Sequence, residues 1–138
     1  MTKSGDRSEE LIALAMQARE RAYAPYSGYA VGCALLADGA IYLGGNVENA
    51  SYGLALCAER SAVAAAIAGG ARSIQEVAVV TSSSPPAAPC GMCLQTLTEF
   101  AVDPTAVRAH LVNPDGERRT VTLAECLPYG FRRDQLRR

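Results

Sequence analysis

Long apolar runs are missing from this 138-residue chain. None approaches the roughly 20 residues that a membrane span requires. The opening segment, MTKSGDRSEE, lacks the apolar stretch of a secretory signal, so a soluble, cytoplasmic protein with no membrane partner is expected. A surplus of positive charge is missing as well: Lys and Arg number 13, Asp and Glu 14, for a formal net charge of −1. Aromatic residues make up only 6%. A strand-binding protein needs a basic groove and stacking rings; neither is visible, so no nucleic-acid partner is expected. The one dense basic run, Arg132, Arg133, Arg137 and Arg138, reads as a solvated tail. Five cysteines, an odd number at uneven spacing, do not make a disulfide framework. In a reducing compartment they read as metal or catalytic ligands, or as buried thiols.

What remains is ordinary globular material, 49% apolar and 20% charged. The length suits one domain over residues 1–138, and no internal repeat or linker divides it. Residues 8–23 place Leu11, Ile12, Leu14, Ala15, Ala18 and Ala22 near the helical period, with Ser8 as N-cap. Residues 31–36 and 40–43 read as a strand pair turning at Asp38-Gly39. Residues 57–67 are an Ala-rich helix stopped by Gly69-Gly70. Then come a Val-rich strand at 76–81, a Ser/Pro loop at 82–89, a helix at 91–100 and a strand at 107–112. The turn Asn113-Pro114-Asp115-Gly116 leads to a short strand at 118–121, a helical turn at 122–126 and a loop at 127–131. Strands alternating with helices predict an α/β fold, a mixed sheet covered by helices.

Two segments carry chemistry: Cys57-Ala58-Glu59-Arg60 and Pro89-Cys90-Gly91-Met92-Cys93. Each falls where a loop gives way to a helix. Cys90 and Cys93, three apart, share a face of the first turn, and a helix start favours thiolates through its free N–H groups and dipole. Three sulfurs suit a catalytic zinc, which leaves one position for water, better than a structural zinc closed by four ligands. Cys33 lies mid-strand in an apolar run, Cys126 precedes Leu127-Pro128, and His110 alternates with Ala109 and Leu111. All three read as packing rather than as a fourth ligand. Glu59, two residues after Cys57, is placed to handle protons beside the metal without ligating it. C-x-E followed by P-C-x-x-C is the signature of the zinc deaminases. Zinc lowers the pKa of water, Glu59 takes the proton, and the hydroxide attacks the amidine carbon of an aminopyrimidine. Three thiolates on Zn²⁺ leave a net charge near −1, which weakens that effect. Arg60, three residues after Cys57, is the candidate cation to offset it.

With these residues in place, the chain resembles the small cytidine deaminases that act on free nucleosides. The matching parts run in order: Ala24-Pro25-Tyr26-Ser27, the strand Val31-Gly32-Cys33-Ala34-Leu35-Leu36, the loop from Gly44 through Asn46 to Tyr52, then the two cysteine segments and Leu127-Pro128-Tyr129-Gly130-Phe131. The resemblance implies a three-layer α/β/α sandwich with a five-stranded mixed sheet. It also implies a homotetramer with one zinc per subunit, held by Cys57, Cys90 and Cys93, and Glu59 as proton shuttle. It further implies a nucleoside held by Asn46 and Glu48 on the ribose, by Tyr29 and the Ala58 backbone on the base, and by Tyr52 and Phe131 reaching in from neighbouring subunits. Two residues depart from the family's habit. Leu94 stands where the second cysteine segment usually continues with Arg, and Tyr29 stands where Phe is common.

The expected reaction is therefore deamination of cytidine and deoxycytidine to uridine and deoxyuridine, in pyrimidine salvage. A related reading is deamination of a modified cytosine nucleoside or of a blasticidin-type antibiotic. A non-enzymatic reading is a zinc-stabilised binding module, which needs a closed metal site and has no use for Glu59.

Overall fold

The computed structural model describes residues 6–136. Its elements follow the predicted order: α1 (Ser8–Glu20), β1 (Gly32–Ala37), β2 (Ala40–Gly45), α2 (Ala58–Ala68), β3 (Ile74–Val80), α3 (Gly91–Glu99), β4 (Arg108–Val112), β5 (Arg118–Thr122) and α4 (Leu123–Cys126). Short 3-10 turns at Tyr52–Leu54 and Arg133–Leu136 were not expected from the sequence. The strands form one five-stranded sheet in the order β2-β1-β3-β4-β5. β1 runs antiparallel to both neighbours, β3 and β4 are parallel, and β5 is antiparallel to β4.

Both faces of the sheet are covered. Along β1, Cys33, Leu35 and Ala37 join one apolar cluster with Ala62 and Val63 of α2 and Leu97 of α3. The alternate residues, Ala34 and Leu36, join Leu11 and Ala15 of α1 in the other. Period-two alternation thus sends neighbouring residues of one strand to opposite layers, and a strand buried on both sides reads as a continuous apolar run. The result is a three-layer α/β/α sandwich. The β1–β2 turn is the expected one: Asp38 and Gly39 both take positive φ, 49° and 83°, as a two-residue hairpin turn of the right twist demands.

Two local expectations need correction. Ser8 is the first residue of α1 rather than its cap; Arg7 holds the cap position, with no side-chain cap bond. The Ser8 hydroxyl is drawn inward instead and donates to Glu76 Oε2 at 2.7 Å. Glu76 also meets Arg108 Nη2 at 3.2 Å and His110 Nε2, while His110 Nδ1 contacts Thr120 Oγ1 at 3.0 Å. This buried polar cluster lies under α1 and fully engages His110, which takes it out of any metal site. The basic run is also not simply solvated: Arg132 Nη2 donates to the carbonyls of Ala101 and Val102 at 3.1 and 3.3 Å. Arg137 and Arg138 lie outside the described residues.

Candidate active site

Topology brings the two cysteine segments together. β2 and β3 are both antiparallel to β1, so they point the same way and their exits lie at the same end of the sheet. The chain leaving β2 enters α2, and the chain leaving β3 enters α3, on the same face of the sheet. Both helices therefore begin near one another. Cys57 and Cys90 occupy their N-cap positions with closely similar extended backbones, φ/ψ of −71°/153° and −70°/168°, and neither helix has a side-chain cap bond. Gly44 on β2 makes the approach of α2 possible. A Cβ there would lie 2.4 Å from both Ala58 O and Ala62 N, so the helix backbone rests directly on the strand.

The three sulfurs of Cys57, Cys90 and Cys93 all lie within 4.8 Å of one another, with Cys90 and Cys93 Sγ 3.6 Å apart. Sulfurs at ~2.3 Å around a tetrahedral zinc are about 3.8 Å from each other, so the donor set fits zinc in type and spacing. Among the described residues no fourth His, Cys, Asp or Glu joins the group. Cys33 is fully buried in the sheet and Cys126 packs against the core from α4, as the sequence suggested.

The electrostatics are graded across the site. The N–H groups of Cys93 and Met92 lower the pKa of the Cys90 thiol. Burial, with the Glu59 carboxylate next, raises that of Cys93. A cation between the sulfurs reverses that second balance, because it favours thiolate over thiol. Glu59 is itself buried, 5% exposed. Burial raises its pKa, against lowering contributions from its own backbone N–H, Cys93 and Arg60. Arg60 Nη2 lies 3.9 Å from Cys57 Sγ and donates to Ala55 O at 3.1 Å.

The remaining predicted residues fall into two groups. Glu48 and Tyr52 line a cleft of about 390 Å³, together with Tyr26, Ser27, Asn49 and Ala55. These last four were not singled out as site residues; Asn49 and Ala55 had no signal of their own, and that of the other two was the Tyr26-Ser27 motif, whose amides need an acceptor. Glu48 supplies it. Its Oε1 accepts from the N–H groups of Tyr26 and Ser27 at 2.9 and 3.1 Å, and its Oε2 from the Ser27 hydroxyl. The Ser27 hydroxyl, ahead of the backbone donors, holds the Glu48 pKa below the usual range. Tyr29, Asn46, Ala58 and Phe131 are not among the walls of this cleft. Asn46 clamps the neighbouring loop, accepting from Val31 N at 2.8 Å and donating to Tyr29 O at 2.9 Å. Ala58 is fully buried at the start of α2. Phe131 is 53% exposed, and its carbonyl accepts from Gln95 Nε2 at 2.7 Å.

Three clustered thiols with a buried carboxylic acid beside them, at the joint start of two helices, make a centre suited to metal-assisted hydrolysis. Comparison with known proteins narrows that class. Residues 6–109 match the family described as the cytidine and deoxycytidylate deaminase zinc-binding region, and the chain belongs to that family. The cytidine deaminase of Sporosarcina psychrophila is 44% identical over 129 residues, 93% of each chain. That of Halalkalibacterium halodurans is 45% identical over 122 residues, 88% of this chain and 91% of the relative. The crystal structure of the cytidine deaminase from Burkholderia pseudomallei superposes with a TM-score of 0.84 at 44% identity, covering 95% of this chain and 100% of that one.

Proposed function

We propose that this chain, as a single domain over residues 1–138, hydrolytically deaminates free cytidine and deoxycytidine to uridine and deoxyuridine. The observation that carries the reading is the placement of buried Glu59 beside three sulfurs within 4.8 Å of one another, in a member of the deaminase family. Cys57, Cys90 and Cys93 would hold one zinc per subunit. When bound, zinc supplies an acidified water as nucleophile at neutral pH. Glu59 would carry protons on its carboxyl oxygens one at a time: the first from the attacking water to the pyrimidine ring nitrogen, the second from the new carbon-bound hydroxyl to the amine as its C–N bond breaks. Burial, which favours the protonated form, suits the donor half of that cycle.

The ribose would lie in the cleft beside Glu48. Its carboxylate has three donors already, which leaves about one acceptor site for a sugar hydroxyl. Asn46 keeps one further donor and one further acceptor. Tyr29 and the Ala58 backbone would border the base. Tyr52, 76% exposed, and Phe131 are free to cover a neighbouring subunit's site, in keeping with a homotetramer. All five cysteines are free, which accords with a reducing, cytoplasmic setting and a role in pyrimidine salvage. Among the described residues no helix is long and apolar enough to cross a membrane. The net charge of −1 gives no support to a nucleic-acid partner.

The test is an ultraviolet assay of the zinc-loaded protein against cytidine, deoxycytidine, cytosine and blasticidin S. Turnover of the two nucleosides is expected, with kcat/KM on the order of 10⁴ M⁻¹s⁻¹ or above, and far slower turnover of the free base. No turnover of any nucleoside would overturn the reading, and turnover of blasticidin S alone would redirect it. A second expectation concerns the cation. Arg60→Ala should weaken zinc binding by about 10- to 100-fold in a chelator competition, because Leu94 offers no other positive charge beside the second cysteine segment. Unchanged affinity and unchanged turnover would place the compensation elsewhere.

A further inference from the structure

The loop from Arg21 to Val31, which carries Tyr29, is pinned mainly by the segment after β2. Tyr23 N–H donates to Asn46 O at 2.9 Å, and Glu48 N–H donates to Tyr23 O at 2.8 Å. Glu48 receives Tyr26 and Ser27, and Asn46 clamps Tyr29 and Val31 as described. Tyr29 N–H donates in turn to the Ser27 hydroxyl at 3.0 Å. Every one of these bonds ties the loop to itself or to residues 46–48. From α1, Arg19 Nε donates to Ala30 O at 3.0 Å, and one bond reaches across to the loop after β3. The Tyr29 hydroxyl meets Ser83 Oγ at 2.6 Å, on the 82–89 loop that leads directly into Cys90.

Ser83 is a firm anchor. Its N–H donates to Thr81 Oγ1 at 3.3 Å, and its carbonyl accepts from Asn113 Nδ2 at 3.0 Å. Asn113 is fully buried and also bonds Glu117 at 2.7 Å, and Glu117 accepts from the Ser84 hydroxyl. The Ser83 end is therefore fixed to the β4–β5 hairpin, while the Tyr29 end lies on the wall assigned to the base. A phenylalanine at position 29 would leave the two loops without this link.

We infer that the Tyr29 hydroxyl and Ser83 form a latch that orders the base-side wall, so that the pair sets how tightly the nucleoside is held rather than how fast it reacts. The inference rests on the deaminase reading above. Neither side chain contacts a cysteine sulfur or the Glu59 carboxyl among the hydrogen bonds described, so the effect is on positioning. A half-exposed hydroxyl pair of this kind changes a binding equilibrium by about 3- to 10-fold.

A double-mutant cycle tests the latch. Tyr29→Phe and Ser83→Ala should each raise KM for cytidine by about 3- to 10-fold with a much smaller change in kcat. The double variant should be no worse than either single one, and Ser83→Thr, which keeps the hydroxyl, should retain the wild-type KM. Amide hydrogens of residues 29–31, on the wall that the latch orders, should exchange faster in Tyr29→Phe. Unchanged KM in both single variants, or losses that multiply in the double variant, would overturn the latch. Failure of the wild-type protein to turn over any nucleoside would sink the deaminase reading separately. Hydrogen exchange, which needs no substrate, then decides the latch, and equal exchange in wild type and Tyr29→Phe refutes it.

Discussion

Replacing Glu59 with Gln is expected to leave zinc bound and to cut kcat on the order of 10⁴-fold. Gln matches Glu in size and can occupy the same buried place at the start of α2, but it cannot take a proton from water at neutral pH. The reaction asks one group to act first as base and then as acid, so both halves fail together. Burial sharpens the expectation: with Glu59 5% exposed, bulk buffer has little access to substitute for it. The measurement pairs kcat from the ultraviolet assay with zinc content from elemental analysis. Near-normal turnover in Glu59→Gln would remove Glu59 from the mechanism. Loss of zinc together with turnover would make it a ligand instead.

Cys93→Ala is expected to weaken zinc binding sharply and to abolish turnover. Of the three sulfur residues, Cys93 is the buried one, 1% exposed, whereas Cys90 is exposed and Cys57 half-buried. It sits deepest between Cys90 and Glu59, and water cannot readily take its place. Binding free energies of roughly 10–16 kcal/mol for four-ligand zinc sites amount to about 2.5–4 kcal/mol per ligand, so zinc affinity should fall by about 10²- to 10³-fold. Equilibrium dialysis against a chelator reads the affinity, and circular dichroism checks that the variant is folded. A folded Cys93→Ala protein with full zinc content would show that its sulfur is not needed to hold the metal.

Much of this site is legible in the sequence because its chemistry is local. Cys57 and Glu59 are two residues apart, Cys90 and Cys93 are three apart, and each pair sits at a helix start that composition announces: a Ser/Pro loop before one, an Ala-rich run after the other. The sheet was legible for a similar reason, since the apolar runs at 31–36 and 76–81 have no polar alternation and must be covered on both faces. What stayed hidden depends on side chains meeting across the fold. Ser8 looks like a helix cap until Glu76, sixty-eight residues away, claims its hydroxyl. Arg132 looks solvated until the carbonyls of Ala101 and Val102 accept from it. Tyr29 could be flagged as carrying a hydroxyl in need of a partner, but nothing in the residue order points to Ser83. The Tyr26-Ser27 turn and Glu48 are separated by about twenty residues, and the bridge between Tyr23 and Val47, with the Asn46 clamp, lays them side by side.

The close seating of α2 on Gly44 has a consequence for how the centre can fail. Cys57 and Glu59 travel with α2, Cys90 and Cys93 with α3, and α2 is seated on β2 by backbone lying on backbone. A methyl group at position 44 would meet main-chain atoms at 2.4 Å, which have no side chain to fold away, so the whole of α2 would have to lift. Each helix could stay intact and each ligand keep its rotamer while the set came apart along the line between them. The spacing of the sulfurs therefore depends on the absence of a single carbon atom at position 44. Its tolerance is set by the fit of helix on strand rather than by the four side chains to which the chemistry is assigned.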